Sequence, residues 1–288
     1  MTTAPTRRRS FGRTRRFDGL VVWITGAGSG IGRACALGFA DRGAHVVLSG
    51  RREAPLSLVA DACRARGVEA TVVVADVTDE ASLEAAVAVA LEAHGRLDIV
   101  LANAGCSVSG RVEELSSTEW RRQLDINVIG LASTVRVALP ALRETGGRIG
   151  LVGSVMAYVS VPGTAAYAAS KAAVRAIGDA LHLELVGTGV SSTLLQPGFV
   201  ESDIARVDNA GVLDLTRPET RPTAVMWSGA RAANVMLNAL HKRQRELVFT
   251  GHGRLVTRLA RHIPGLLYSM MAGPLASAVG AGRPSSAR

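Results

Sequence analysis

Leu20-Val21-Val22-Trp23-Ile24-Thr25-Gly26-Ala27-Gly28-Ser29-Gly30-Ile31-Gly32 is the stretch that decides the fold. Its first six residues form a short, continuous apolar run that ends in glycines, as a parallel strand buried on both faces does. Residues 31–42 follow with a helical pattern. Glycines between strand and helix let the backbone approach a pyrophosphate closely, and the helix start behind them presents unpaired N–H groups. Gly26, Gly28, Ser29, Gly30, Ile31 and Gly32 are therefore candidate phosphate contacts. A glycine-rich loop alone is a weak sign, and its place between a strand and a helix is what gives it weight.

Outward from this loop the pattern alternates. Strands are expected at 44–50, 70–75, 97–102, 148–153, 190–195 and 245–249, and helices at 53–66, 79–94, 117–145 (broken or kinked near Pro140) and 165–186. Strict alternation means right-handed βαβ units, so the expected class is α/β: a doubly wound parallel sheet of the Rossmann type. Residues 198–222, with Gly198, Gly211, Pro218 and Pro222, are too long and irregular for an ordinary connection and read as a functional lid. The expected organisation is a basic flexible arm at 1–17, one catalytic domain at 18–250 and a helical C-terminal extension at 251–288.

The formal charge is +9, but six arginines crowd residues 1–16 and eight basic residues face Glu246 alone in 242–288. The body between is mildly acidic, which argues against a nucleic-acid groove. Three cysteines, Cys35, Cys63 and Cys106, are odd in number and lack metal-type spacing. They read as reduced thiols of a cytoplasmic protein, and no metal is expected. Arg8-Arg9-Ser10-Phe11 is similar to a twin-arginine export signal, but no apolar signal core follows it, and no run of about 18 uncharged apolar residues stands out as a membrane span.

Two constellations carry chemistry. Tyr167 and Lys171 lie one helical turn apart, so both side chains emerge on one face and can act on one atom. Only two of the 33 basic residues are lysines, Lys171 and Lys242, so position 171 calls for a compact ammonium in a chain that otherwise uses arginine. An ammonium near the phenol, together with the positive charge of an oxidised nicotinamide, favours phenolate, which predicts a lowered tyrosine pKa. The second strand ends in Leu48-Ser49-Gly50-Arg51-Arg52. No acid stands there to take adenosine ribose hydroxyls, and Arg51 beside Gly50 can meet a 2′-phosphate, so NADP(H) is expected over NAD(H).

Thr-Gly-x-x-x-Gly-x-Gly at 25–32 resembles the fingerprint of the short-chain dehydrogenase/reductase (SDR) family, and later motifs arrive in order across residues 18–250. The resemblance implies Ser154, Tyr167, Lys171 and Asn127 as the catalytic set: Ser154 orients the substrate oxygen, Lys171 tunes Tyr167, and Asn127 supports a water relay to the lysine. It implies Asp76-Val77 at the adenine, Asn103-Ala104-Gly105 packing beside the cofactor and steadying the sheet, Pro197-Gly198-Phe199-Val200 passing the nicotinamide, and Ser202 at its carboxamide. Hydride would pass between the nicotinamide and a carbonyl or alcohol carbon while Tyr167 exchanges the proton. The resemblance also implies a homodimer or homotetramer with a dimer face on 117–145 and 165–186.

Few charges between Asn103 and Ser154 or along the lid suit a phosphorylated or carboxylated substrate, so an apolar ketone or alcohol is expected. In the tail, Arg254, Arg258 and Arg261 alternate with Leu255, Val256 and Leu259, ahead of an apolar run at 266–279. Packing on its own domain, a dimer contact and a membrane-surface anchor all fit that pattern. Two readings from other classes stay open: a non-catalytic NADP(H)-binding sensor, and a peripheral membrane protein held through its C-terminal extension.

Overall fold

Why the chain alternates is visible in the sheet at its centre. Seven strands, β1 (Val21–Thr25), β2 (His45–Gly50), β3 (Ala70–Val74), β4 (Ile99–Ala102), β5 (Arg148–Val152), β6 (Ser191–Gln196) and β7 (Glu246–Val248), lie in the order β3-β2-β1-β4-β5-β6-β7. All six pairings are parallel. The computed structural model describes residues 16–219 and 221–280. Successive strand residues face opposite sides, and both faces of β1 are covered, which is why Val21–Ile24 are all apolar. Val22 and Ile24 meet α1 (Gly30–Ala40), α2 (Glu53–Arg64) and α7 (Gly229–His241) through Phe39, Leu56 and Leu237. Val21 and Trp23 meet α3 (Glu80–His94), α5 (Gly130–Thr145) and α6 (Ala165–Glu184) through Leu83, Val135 and Val174. Trp23 satisfies its indole N–H on Ser49 Oγ at 2.9 Å, so its burial leaves no orphan donor.

The strand order reverses at β1, with β2 on one side and β4 on the other. Ligands of open parallel sheets bind above the carboxyl ends at that switch point. The glycine loop lies there.

Two boundaries differ from the sequence reading. Phe17, assigned there to the arm, is 1% exposed and packs edge-on to Phe39 at 5.0 Å, and Arg16 donates to Asn238 Oδ1 at 3.1 Å. The sheet-covering layer therefore begins before residue 18, and residues 1–15 of the arm lie outside the described residues. The 117–145 helix is interrupted not at Pro140, which α5 carries within it, but at a π turn over Asp125–Ile129 that joins α4 (Ser117–Leu124) to α5. Gly130 N–H reaches back to Asp125 O there, a wide turn of the kind that often marks functional sites. By length and composition alone 117–145 would also suffice to cross a membrane. In the fold it covers the sheet, with Gln123 and Asn127 fully buried and hydrogen-bonded.

After β7 come α8 (Gly251–His262) and α9 (Pro264–Gly280). They pack on the domain through a small core of Val155, Val159 and Leu267, joined by Val248, Val256 and Leu259. The Arg175 and Arg261 guanidinium groups both lie over the Tyr158 ring, at 4.8 and 4.7 Å from its centroid, and its hydroxyl hydrogen-bonds Glu246. Residues 281–288 lie outside the described residues.

Candidate active site

The loop between β1 and α1 needs its glycines for three separate reasons. Gly26 takes φ +66°, in the left-handed region, and a Cβ there would stand 2.9 Å from Ala104 Cα. A Cβ on Gly32 would stand 2.3 Å from Gly26 O, so this glycine is required by packing against the loop. A Cβ on Gly30 would meet Ser202 Cβ at 2.9 Å. Ser29 caps α1 with extended backbone and makes no side-chain cap, which leaves the helix N–H groups for an anion. Asn103 and Ala104 tie the loop to β4: Asn103 Nδ2 donates to Thr25 O and Gly26 O at 2.9 and 3.2 Å, and the N–H groups of Asn103 and Ala104 donate to Thr25 Oγ1 at 3.0 and 3.1 Å.

A cleft of about 350 Å³ runs from this loop across the carboxyl ends of the strands. Its lining takes in Gly26, Gly28, Ser29, Gly30, Ile31, Arg51, Asp76, Val77, Asn103, Ala104, Gly105, Ser154, Tyr167, Lys171, Pro197, Gly198, Val200 and Ser202, which is nearly the whole set expected from sequence. Gly32 and Asn127 do not line it. At the β2 end Arg51 is exposed and, among the described residues, makes no hydrogen bond or ion pair. Beside it a Cβ on Gly50 would find nothing nearer than 3.7 Å. Asp76 Oδ1 is already engaged by the Thr78 N–H and hydroxyl at 3.0 and 2.8 Å.

At the other end stand Ser154, Tyr167 and Lys171. Ser154 follows β5 and caps a short 3-10 turn over Val155–Ala157 with its Oγ accepting from Met156 N at 3.1 Å. Its own N–H donates to Gln196 Oε1 at 2.6 Å. Tyr167 and Lys171 sit on α6. Lys171 is 4% exposed and donates from Nζ to Val152 O at 2.9 Å, and burial lowers its pKa from 10.5 to about 8. The lowered tyrosine pKa expected from sequence rests in part on the charge of an oxidised nicotinamide, and the protein groups alone act in the other direction. Burial pushes the Tyr167 phenol up, against a hydrogen bond with Ser154 that pulls it down. Lys171 Nζ is turned to a backbone carbonyl and lies 5.8 Å from the ring centroid, too far to overcome the cost of burying a phenolate. The phenol is therefore held protonated, the state that a proton donor needs.

Asn127 works from beneath. It is fully buried in the π turn, where Oδ1 accepts from Cys106 N at 2.8 Å while Nδ2 donates to Cys106 O and Ser170 Oγ, both at 3.0 Å. It thus clasps the irregular segment that follows Gly105 to the helix that carries Tyr167, and is a positioning residue. Gln123 repeats the clasp one turn earlier on Val108 N and Cys106 O, at 2.6 and 3.0 Å.

The 198–222 segment lies over the cleft, as a lid would. Arg221 fastens it: the guanidinium donates to Val200 O, Ser202 O and Ser202 Oγ and pairs with Glu219 at 2.7 Å. Those bonds hold the Glu219 carboxyl down at about 2. Asn209 joins the lid to Ser109 and Glu119, and Arg122 Nη1 donates to Asn209 O at 2.7 Å. Sequence reasoning missed Gln196, Gln123 and Arg122, whose partners are supplied by other elements, and Arg221, whose partners lie within the lid itself. The signal that could have raised Arg221 was its place, with Glu219, at the end of an irregular segment already read as a lid.

A model of the short chain dehydrogenase family matches residues 20–212. An uncharacterized oxidoreductase of Staphylococcus aureus strain MW2 is 33% identical over 221 residues, which cover 76% of this chain and 95% of that protein. One from Myxococcus xanthus strain DK1622 is 34% identical over 252 residues, 86% and 94% of the two chains. Among solved structures, a short chain dehydrogenase/reductase from Burkholderia phymatum in complex with NAD superposes with a TM-score of 0.78 at 31% identity, covering 87% of this chain and 96% of that one. An alcohol dehydrogenase from the archaeon Thermococcus sibiricus complexed with 5-hydroxy-NADP gives 0.70 at 28% identity, with 80% and 96% covered.

Proposed function

The chain belongs to the short-chain dehydrogenase/reductase family, and from that premise we propose that it is an NADP(H)-dependent oxidoreductase that interconverts a carbonyl compound and its alcohol, with Tyr167 as general acid and base. The observation that carries this reading is one cleft that opens on Ser154, Tyr167 and Lys171 at one end and on the glycine loop and Arg51 at the other. A dinucleotide fits that cleft: the uncapped start of α1 and the glycines would hold its pyrophosphate, and Val200 and Ser202 border the nicotinamide end. Bound there, it supplies the hydride. Ser154 orients the substrate oxygen, and Tyr167 gives that oxygen its proton in reduction or takes it in oxidation. Lys171 supplies positive charge beneath.

Preference for the 2′-phosphorylated form rests on Arg51, a free planar fork of donors beside an open Gly50 with no acid at the strand end. An apolar ketone or alcohol is the substrate this reading favours, supported by Ile204, Val207 and Leu213, which line the lid side of the cleft together with Asp203 and Arg221. Exposed Ile129 and Leu183, at 57% and 71%, offer apolar contacts for a dimer on the 117–145 and 165–186 helices. The three buried thiols suit a reducing cytoplasm.

Tyr167→Phe tests the reading: NADPH affinity by fluorescence titration should hold while turnover across ketones falls about 10²- to 10⁴-fold. Undiminished turnover would refute it, and NADPH binding without turnover of any carbonyl by the native chain would favour the sensor. Arg51→Ala should weaken NADPH far more than NADH.

A second reading, contact with an anionic membrane surface, is favoured by exposed Leu255, Ile263, Leu266, Tyr268 and Met270 beside exposed Arg254 and Arg258. Flotation with phosphatidylserine vesicles should then fall when the chain is cut after Ile263.

A further inference from the structure

Three side chains with no part in the cleft meet at the amino ends of the strands, the opposite end of the sheet. His45 opens β2, Glu69 immediately precedes β3, and His94 closes α3. Their ligating atoms all lie within 4.8 Å of one another. His94 Nδ1 stands 3.2 Å and His45 Nδ1 3.9 Å from Glu69 Oε2. We propose that His45, Glu69 and His94 bind one divalent cation of the zinc class, which pins β2, β3 and α3 together at the base of the fold.

The donor set selects the metal. Two imidazoles and one carboxylate suit Zn²⁺ or Cu²⁺, whereas Mg²⁺ and Ca²⁺ require shells of oxygen. Ligands held about 2.0–2.2 Å from a tetrahedral ion lie roughly 3.3–3.6 Å apart. The two distances to Glu69 Oε2 bracket that spacing, and the imidazoles need to close by about an ångström at most.

The outer contacts agree. The His94 side chain is 5% exposed, so its ring is held in place where a metal would meet it. With Nδ1 on the ion, the Nε2 proton would face Thr71 Oγ1, 3.5 Å away, the outer hydrogen bond that ligating histidines usually make. His45 Nδ1 accepts from Glu69 N–H at 3.1 Å, and coordination would exchange that bond for one to the cation. Glu69 is 69% exposed, so an ion can enter and water can take the remaining position. The sequence reading expected no metal from the spacing of the cysteines, and nothing in the sequence sets His45, Glu69 and His94 beside one another. Three separate elements bring them together.

The test titrates the full chain, free of any histidine tag, with ZnCl₂ in a calorimeter and follows thermal unfolding in the same series. One saturable equivalent is expected, with Tm rising as zinc rises. At zinc 100 times Kd the folding constant should grow about 100-fold. Glu69→Gln, an exposed change that spares the packing, should weaken binding about tenfold or more, and the His45→Asn/His94→Asn pair should abolish it. Absence of saturable binding, equal response to MgCl₂, or a one-equivalent site that survives the double histidine variant would each overturn the proposal. None of these readouts depends on catalysis.

Discussion

Replacing Lys171 with Met should stabilise the fold at neutral pH while removing activity. The ammonium is almost fully buried, and burial brings its pKa from 10.5 to about 8. At about 1.4 kcal/mol per pH unit, keeping it charged in the folded chain costs about 3 kcal/mol at pH 7. Methionine of similar length removes that cost but forfeits the bond to Val152 O, worth about 1 kcal/mol, so the net gain is about 2 kcal/mol. The sign follows from proton counting. Below pH 8 folded and unfolded chains both carry the proton and the cost is constant. Between pH 8 and 10.5 the unfolded state binds more protons, so native stability rises with pH. The variant lacks this rise, and its advantage should vanish across that window. Urea unfolding followed by tryptophan fluorescence at pH 6.5, 8 and 9.5 measures it. A variant less stable than the native chain at pH 6.5, or a difference that ignores pH, would refute the claim that burial dominates this lysine.

Two further outcomes follow from the supports of the site. Asn127→Leu strands the buried Cys106 N–H, while Cys106 O keeps its bond from Gln123 Nε2, and should cost about 2 kcal/mol in denaturant unfolding, with a loss below 1 kcal/mol counting against the clasp. Glu219→Gln should loosen Arg221 and speed proteolysis between residues 203 and 219 at pH 7. In the native chain that protection should persist below pH 4.5 and disappear only as pH falls toward 2, because the depressed carboxyl pKa keeps the pair ionised down to there.

Much of the fold and the cleft was legible because their signals are local. The apolar run of β1, the glycines after it and the single turn between Tyr167 and Lys171 are fixed by adjacent residues. What stayed hidden is non-local. Gln196 holds Ser154 from 42 residues away, and nothing around either one announces the other. The π turn escaped because helical periodicity runs through it unbroken, while Pro140, which looked like a break, sits inside α5. Phe17 looked like part of an arginine-rich arm until Phe39 was seen to cover it. The direction of the Tyr167 pKa depended on how deeply the phenol is buried and where the lysine points, neither of which spacing encodes.

The join between domain and extension has its own consequence. Thr250 takes φ +74°, unusual for a side chain branched at Cβ, and its Oγ1 would stand 2.2 Å from a Cβ on Gly198. His252 stacks on Phe199 at 5.2 Å and accepts from its N–H. The first turn of α8 is thus the floor under the reaction chamber. Shortening from the C-terminus should cost stability as it removes Leu267 and then Leu259, and should disturb the chamber itself once it reaches residue 252, so a load placed on α9 would be felt as a change in how firmly the substrate's neighbours stand.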